Sequence, residues 1–263
     1  MEEPFTLYFT GTAGAGKTSA VRAYAAWLKS AGHDATIVNL DPGNENSEFE
    51  PDVDVREWVR LPEIMEEYGL GPNGAQVAAS DMIALKIFEI KQAIEEFHTD
   101  YLLVDTPGQV ELFAFRESSK AIVDALSGER SLITFLFDPA LARQAPGFVS
   151  LLLLSATVEF RFRLPMTHLL SKADVLRPEQ LEEILGWAEN SETLYDRIRS
   201  ETATPDVTLS TELFRALEST GPFLALAPIS SQDGTGFDLL YRTTQRIISG
   251  GEDLEPSQGP TEP

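Results

Sequence analysis

The chain lacks cysteine and has only three histidines, and these absences remove several kinds of chemistry. Disulfide bonds, thiolate zinc sites and cysteine nucleophiles are excluded. The histidines, His33, His98 and His168, are not at ligand spacing, so each is expected to be a surface or core residue. No metal site is therefore expected from cysteine or histidine.

Positive charge is also scarce. The 20 lysines and arginines stand against 42 aspartates and glutamates, which gives a net charge of −22. A surface this acidic repels a phosphate backbone, so no direct nucleic-acid partner is expected. The acidity would suit a salty cytoplasm or a basic protein partner, and the sequence does not choose between them.

Signals that would direct the chain to a membrane are lacking as well. The first residues, Met1-Glu2-Glu3-Pro4, are acidic where a secretory signal is basic. The most apolar segment, residues 148–160, is short and contains Glu159. We therefore expect a cytoplasmic protein with no membrane partner.

Apolar runs typical of buried strands alternate with helical patterns along most of the chain. This alternation predicts an α/β fold with a mostly parallel central sheet and helices on both faces. The 263 residues, 43% of them hydrophobic, suffice for one large domain. We expect that domain over residues 1–250, followed by a disordered tail at 251–263 that is rich in glycine, proline and glutamate.

Several segments carry more local expectations. Residues 79–97, 110–126 and 140–160 each show the apolar spacing of a helix. Residues 44–54 are polar and irregular, so a loop is expected there. Leu70-Gly71-Pro72-Asn73-Gly74 is expected to form a turn because glycine, proline and asparagine interrupt regular structure.

The most specific motif lies between the first predicted strand, residues 5–10, and a predicted helix at 19–31. It has the spacing G-x-x-x-x-G-K-T of a phosphate-binding loop, in which glycines let backbone N–H groups surround phosphate oxygens. Its lysine can reach the outer phosphates and its threonine hydroxyl can bind Mg²⁺. The motif predicts a three-layer P-loop NTPase fold rather than a plain glycine-rich turn. The expected nucleotide-binding residues are Gly11, Thr12, Ala13, Gly14, Ala15, Gly16, Lys17, Thr18 and Ser19.

Two further strand ends carry carboxylates. Asp105, after a buried strand, can hold Mg²⁺, while the Gly108 N–H can approach a γ-phosphate. Gln109 can orient a water, a role that a glutamine after such a glycine has in some GTPases. Asp41 ends the second strand and is a second candidate to position Mg²⁺ or the attacking water. The alternative for both aspartates is a structural cap on a turn.

A base-binding motif is expected late in the sheet. Ser171-Lys172-Ala173-Asp174 resembles the guanine motif [NT]-K-x-D, with Ser171 in place of the usual asparagine. Asp174 can accept hydrogen bonds from guanine N1–H and the 2-amino group, which adenine lacks. Residues 228–231, which include Ser230, resemble the loop that closes over the base. Guanine is therefore favoured over adenine.

Taken together, the phosphate loop, Asp41-Pro42, Gly71-Pro72-Asn73, residues 105–113 and residues 171–174 resemble the GPN-loop GTPases over about residues 5–250. Residues 51–57 resemble that family's D-x-R stretch. The resemblance implies a homodimer that hydrolyses GTP, with the GPN loop, about residues 69–76, inserted into the partner's site. Asn73 would contact the γ-phosphate or the released phosphate in trans. Asp41, Gln109 and Glu111 would position the water and the metal.

Other interpretations stay open at this point. Gly71-Pro72-Asn73 could be only a turn, and Glu111 only an exposed helix residue. Residues 140–160 are expected to form a core helix covered on all sides, or to offer residues 151–154 to a dimer interface or a peptide groove.

Three functions compete. The first is a dimeric, Mg²⁺-dependent GTPase that acts as a nucleotide-gated switch, with an assembly or chaperone-like role and a protein client suggested by the resemblance. The second is a scaffold that holds GTP or GDP without hydrolysis. The third is a related dimeric ATPase, although Thr12 and Ala13 stand where such ATPases carry an extra lysine. A metabolite kinase has least support because no lid or acceptor motif is visible.

Overall fold

The computed structural model describes residues 3–43, 50–200, 212 and 224–248. Its strands are β1 Phe5–Gly11, β2 Ala35–Asn39, β3 Val53–Asp54, β4 Tyr101–Asp105, β5 Ser131–Phe137, β6 Met166–Leu170 and β7 Leu226–Pro228. They form one sheet in the order β3-β2-β4-β1-β5-β6-β7, and every neighbouring pair is parallel. The mostly parallel sheet expected from the sequence is confirmed.

Helices connect the strands. The described ones are α1 Lys17–Ser30, α2 Leu61–Tyr68, α3 Pro72–Leu85, α4 Ile87–Glu95, α5 Val110–Ala114, α6 Glu117–Leu126, α7 Pro139–Ala142, α8 Ala145–Phe162, α9 Pro178–Glu189, α10 Ser191–Ser200 and α11 Phe237–Ile248. Two short 3-10 helices lie at Val55–Glu57 and Ala173–Val175.

The core has two parts, one on each face of the sheet. On one face α1 and α11 pack together through the rings of Tyr24 and Phe237, with Phe9 of β1 against Tyr24. The other face carries the larger cluster, in which Phe148 of α8 lies between Phe137 and Trp187. Because both faces are covered, every residue of β1, β4 and β5 is buried, which explains their continuous apolar runs.

The prediction of a turn at residues 70–74 is wrong in part, because helix α3 begins inside this segment. α2 ends at Tyr68, and its C-cap residue Gly69 has a φ of 62°, which suits a helix end. α3 already begins at Pro72, with Gly71 as its N-cap residue. Proline is favourable at the first helical position because the missing N–H would have no acceptor there. Asn73 therefore lies in the first turn of a helix rather than in a loop.

Three other expectations also need correction. The helices expected at 79–97 and 110–126 are each divided, at Lys86 and near Phe115. Of the loop expected at 44–54, residues 44–49 lie outside the described part, whereas Val53–Asp54 forms strand β3 beside β2. The tail expected at 251–263 also lies outside the described residues.

The apolar segment at 140–160 is not covered on all sides. It forms α7 and α8, and α8 buries one face that includes Phe148, Leu151 and Val158, while Phe160 is 82% exposed. By length and composition α8 is the one described helix that could cross a membrane. A helix that packs along a buried sheet passes the same test, and α8 packs in this way against Phe137 of β5.

Candidate functional site

The predicted motifs meet at one edge of the sheet. β1, β2, β4, β5 and β6 are parallel, so the polar segments that follow them emerge side by side at their carboxyl ends, where open α/β sheets bind ligands. Hydrogen bonds link these segments directly. Lys17 contacts Gly108, Asp41 contacts Gly108, and Lys172 contacts Gly14.

The phosphate loop follows β1 and turns into α1. Gly14 and Gly16 have φ values of 77° and 87°, which side chains rarely tolerate. Gly11 is needed for close packing, since a Cβ there would lie 2.7 Å from the Leu136 carbonyl oxygen. No side chain caps the start of α1, so its first N–H groups are open to an anion.

Lys17 lies under this loop and is 6% exposed. Its ammonium donates to the carbonyl oxygens of Gly11 and Thr12, both at 3.0 Å, and of Gly108 at 2.8 Å. Burial lowers the pKa of Lys17, and the nearby carboxylates of Asp105, Asp41 and Glu111 oppose this shift. The ammonium therefore lies where the outer phosphates of a nucleotide would approach.

Thr18 and Asp105, the two residues expected to bind a metal after β1 and β4, are in direct contact. The Thr18 hydroxyl donates to Asp105 Oδ2 at 2.6 Å, and Asp105 is 4% exposed. Its other oxygen, Oδ1, is buried and has no hydrogen-bond partner among the described residues. Burial raises the pKa of Asp105 to about 6. A buried carboxylate with an unused oxygen fits a cation.

Common cations differ in the donor set that they require. Within the described residues no three acidic or histidine side chains gather as a metal cage. Mg²⁺ is commonly held by one or two carboxylates together with substrate phosphates and water, which matches this sparse donor set.

Asp41 follows β2 and lies against Gly108 at the same sheet edge. Its Oδ2 accepts the Gly108 N–H at 3.1 Å, and its Oδ1 accepts the Gly43 N–H at 2.9 Å. The Gly108 N–H, which the sequence assigns to a γ-phosphate, thus bonds to Asp41 here. Leu40 N–H also donates to the Asp105 carbonyl at 2.8 Å, so the ends of β2 and β4 are joined.

A network centred on Asn39, which the sequence reasoning missed, joins Asp41 to the D-x-R stretch at residues 51–57. Asn39 accepts the Asp41 N–H at 2.9 Å, and its amide donates to the Asp41 carbonyl at 3.1 Å and to Asp54 at 3.0 Å. Arg56 in turn binds both Asp54 oxygens. Burial raises the pKa of Asp54, but the hydrogen bonds from Arg56 and Asn39 bring it below its usual value. Asn39, a buried polar residue at the end of strand β2, was the available signal.

A narrow cavity of about 20 Å³ lies beside Asp41 and Gly108. Gln76 of α3 also lines it, and its Oε1 is buried without a hydrogen-bond partner among the described residues. This volume is enough for about one water molecule. Gln76 is a second residue that the sequence reasoning did not identify.

The remaining residues expected to take part in hydrolysis are on the surface. Gln109 is the exposed N-cap residue of α5, and Glu111 is exposed in the first turn of that helix. Gly71, Pro72 and Asn73 are exposed at the start of α3. All five therefore remain accessible to a ligand or a second chain.

The base-side motif lies at the ends of β6 and β7. Ser171 is buried, with its hydroxyl on the Phe137 carbonyl at 3.1 Å, and the Ala173 N–H donates to Ile229. Asp174 is exposed on the 3-10 helix that follows. Ser230 is buried and shapes its own turn by accepting the Gln232 N–H at 3.2 Å.

A glycine loop over a buried lysine, with a threonine–aspartate pair at the carboxyl edge of a parallel sheet, defines a P-loop nucleotide-binding protein. A family model described as a conserved hypothetical ATP binding protein matches residues 9–250. The GPN-loop GTPase QQT2 of Arabidopsis thaliana is 30% identical over 89% of this chain and 62% of its own length. GPN-loop GTPase 1 of Dictyostelium discoideum is 27% identical over 91% of this chain and 60% of its own length. The chain spans about three fifths of these two relatives.

An archaeal relative is covered more fully. The GPN-loop GTPase PAB0955 of Pyrococcus abyssi is 32% identical over 73% of this chain and 77% of its own length. Its crystal structure, described as a GTPase in apo form, matches with a TM-score of 0.81 and 27% identity over 92% of this chain and 96% of that one. The chain belongs to the GPN-loop GTPase family. The resemblance and the P-loop fold expected from the sequence are confirmed.

Proposed function

We propose that this chain binds GTP and hydrolyses it to GDP and phosphate. The observation that carries the proposal is the meeting of Lys17, Thr18 and Asp105 beneath the glycine loop. The named relatives support GTP rather than ATP, because each is called a GTPase, whereas only the description of the family model mentions ATP. Asp174 is the residue assigned to guanine recognition, with Ser171, Lys172 and Ser230 shaping the loops around the base.

The reaction joins the water oxygen to the γ-phosphorus while the bond from that phosphorus to the β–γ bridging oxygen breaks. Lys17 would exchange its carbonyl partners for phosphate oxygens and balance their charge. The Asp41 carboxylate, next to Gly108, is the group placed to accept a hydrogen bond from the water. Gln109 and Glu111 are proposed to help orient that water.

Thr18 and Asp105 would hold Mg²⁺, and Asp41 is a third candidate. The unpartnered Oδ1 of Asp105 supports this assignment, since a buried oxygen without a partner is costly. Held there with the nucleotide, the ion would supply positive charge that offsets the charge developing on the phosphates.

The first prediction concerns Lys17. Lys17→Met should reduce GTP turnover by at least about 100-fold, because a buried cation at the phosphates is lost. Phosphate release with and without Mg²⁺ measures this, and Lys120→Met is the matched control, since Lys120 pairs on the surface with Asp124. Normal turnover by Lys17→Met would overturn the mechanism. A wild type that binds GTP but releases no γ-phosphate in a single turnover would instead be the scaffold, and preference for ATP would favour the ATPase.

We further propose that the chain works as a cytoplasmic homodimer that switches with the bound nucleotide and assists a protein client. Asn73, exposed in the first turn of α3, is then available to the partner's phosphates. Leu85, Phe88 and Phe160 are exposed by 81%, 75% and 82%, and burying such apolar surface favours association. An amide supplied in trans would add charge stabilisation where no arginine is assigned.

A further inference from the structure

Asp138 follows β5 and has two separate roles in the structure. It is 9% exposed, and its Oδ1 accepts the Ala140 N–H at 2.7 Å, which caps α7. Its Oδ2 accepts from the Lys172 ammonium at 3.1 Å. One carboxylate oxygen thus serves the local helix, and the other reaches the neighbouring strand end.

Lys172 connects this carboxylate to the phosphate loop. Its ammonium also donates to the Gly14 carbonyl, and its Cε would lie 3.4 Å from a Cβ placed on Gly16. The Lys172 backbone has a φ of 50°, an uncommon conformation for a residue with a side chain. Such a conformation persists where surrounding contacts determine it, and the contacts here come from Asp138 and Gly14.

We propose that Asp138 is a positioning residue for the nucleotide. By binding Lys172, it holds the ammonium on the phosphate loop and so ties the segment that carries Asp174 to the segment that cradles the phosphates. A nucleotide that contacts both segments must separate from them together, so the ion pair prolongs its residence. The proposal rests on the nucleotide site proposed above.

Asp138→Asn separates the two roles. Asparagine caps helices as well as aspartate, so Oδ1 can still accept the Ala140 N–H. The NH₂ group that replaces Oδ2 is a donor and cannot accept from the Lys172 ammonium, and the negative charge is gone. The apparent melting temperature without nucleotide should therefore stay close to that of the wild type, which verifies the fold before any binding measurement.

The expected effect is on nucleotide release. Asp138→Asn should raise the dissociation rate of fluorescent GDP about five- to tenfold, a size set by a charge-assisted hydrogen bond to a lysine whose side chain is 42% exposed. The single-turnover hydrolysis rate with saturating GTP should change less than about twofold, because ground state and transition state lose the same contact. Asp124→Asn is the control, since it removes a carboxylate paired with exposed Lys120.

The decisive comparison is a double-mutant cycle. Lys172→Met alone should also speed GDP release, and adding Asp138→Asn to it should change little further, since the partner is already gone. Additive effects, or a wild-type release rate for Asp138→Asn, would overturn the positioning role while leaving GTP hydrolysis by the wild type intact. If the wild type itself bound no guanine nucleotide, the proposed function would fail, and the positioning role with it.

Discussion

At the scale of single residues, three buried oxygens without a hydrogen-bond partner in the described part of the chain lie around the proposed site. Thr12, Gln76 and Asp105 each have a buried side-chain oxygen with no hydrogen-bond partner among the described residues. Such an oxygen costs about 1–3 kcal/mol. Stability is thus lowered where phosphates, water and a cation are proposed to bind, and a ligand that satisfies these oxygens recovers that cost.

His168 of β6 is a half-buried histidine whose pKa is lowered. It lies against Phe135 and Phe137, and burial lowers its pKa to about 4. The unfolded chain takes up the proton near pH 6.5, whereas the folded chain does so only near pH 4. The resulting stability is complete above pH 6.5 and is lost as the pH falls toward 4.

His168→Phe should therefore lose less stability on acidification. Between pH 7 and pH 4.5 the wild type should lose roughly 2–3 kcal/mol more than the variant in urea unfolding. His98→Phe, at an exposed position, should follow the wild type. Equal losses for wild type and His168→Phe would show that His168 titrates alike in both states.

At the scale of elements, two helical glycines should respond in opposite ways to the same substitution. A Cβ on Gly147 of α8 would lie 2.3 Å from the Leu141 carbonyl oxygen, whereas a Cβ on Gly186 of α9 meets nothing within 4 Å. Gly147→Ala should lose at least about 2 kcal/mol because the backbone of α7 must move. Gly186→Ala should gain about 0.5–1 kcal/mol.

Chemical denaturation of the two variants makes this comparison directly. The decisive result is that the free energy of unfolding falls in Gly147→Ala and rises in Gly186→Ala. Both variants replace a helical glycine by alanine, so each is the control for the other. A Gly147→Ala variant as stable as the wild type would mean that α7 yields easily and is not fixed by its contact with α8.

The elements also show what sequence patterns can and cannot predict. β1, β4 and β5 were predictable because strands buried on both faces leave continuous apolar runs, and the parallel topology then places Lys17 near Asp105. The break at Lys86 was not predictable, since Ile83, Ile87 and Ile90 keep helical spacing across it.

The hydrogen-bond partners of individual side chains are harder to predict from a sequence pattern than the helices and strands are. The Asp41 bond to Gly108 joins residues 67 positions apart, and that of Lys172 to Gly14 joins residues 158 apart. Motifs located these segments at one sheet edge, but only tertiary packing decides which donor meets which acceptor.

At the scale of the whole molecule, the proposed dimer predicts that two defective chains can repair each other. Asn73→Ala should lower turnover about tenfold or more and change GDP affinity little, because its amide acts on the partner's site. When Asn73→Ala is mixed with an equal amount of Lys17→Met, half of the dimers should hold one chain of each kind. In each such dimer the Asn73→Ala chain keeps Lys17 and receives Asn73 from its partner, so one of the two sites is complete. The mixture should then reach about a quarter of wild-type turnover.

Phosphate release by the mixture, against each variant alone at the same total concentration, measures the repair. A mixture no more active than the average of its parents would contradict a site shared between chains. Dilution of the wild type gives a second measurement, since turnover per chain should fall as dimers separate.

Gly108 has no side chain, yet its backbone connects Lys17, proposed to bind the phosphates, with Asp41, proposed to position the water. Its carbonyl holds Lys17 and its N–H holds Asp41, and both groups extend from a single Cα. A phosphate oxygen that took the N–H would displace Asp41 and, by turning the same residue, loosen Lys17. The Lys17 ammonium and the Asp41 carboxylate would then both lose their bonds to Gly108 in one event. Binding of the γ-phosphate would itself release the two groups that the proposed hydrolysis uses.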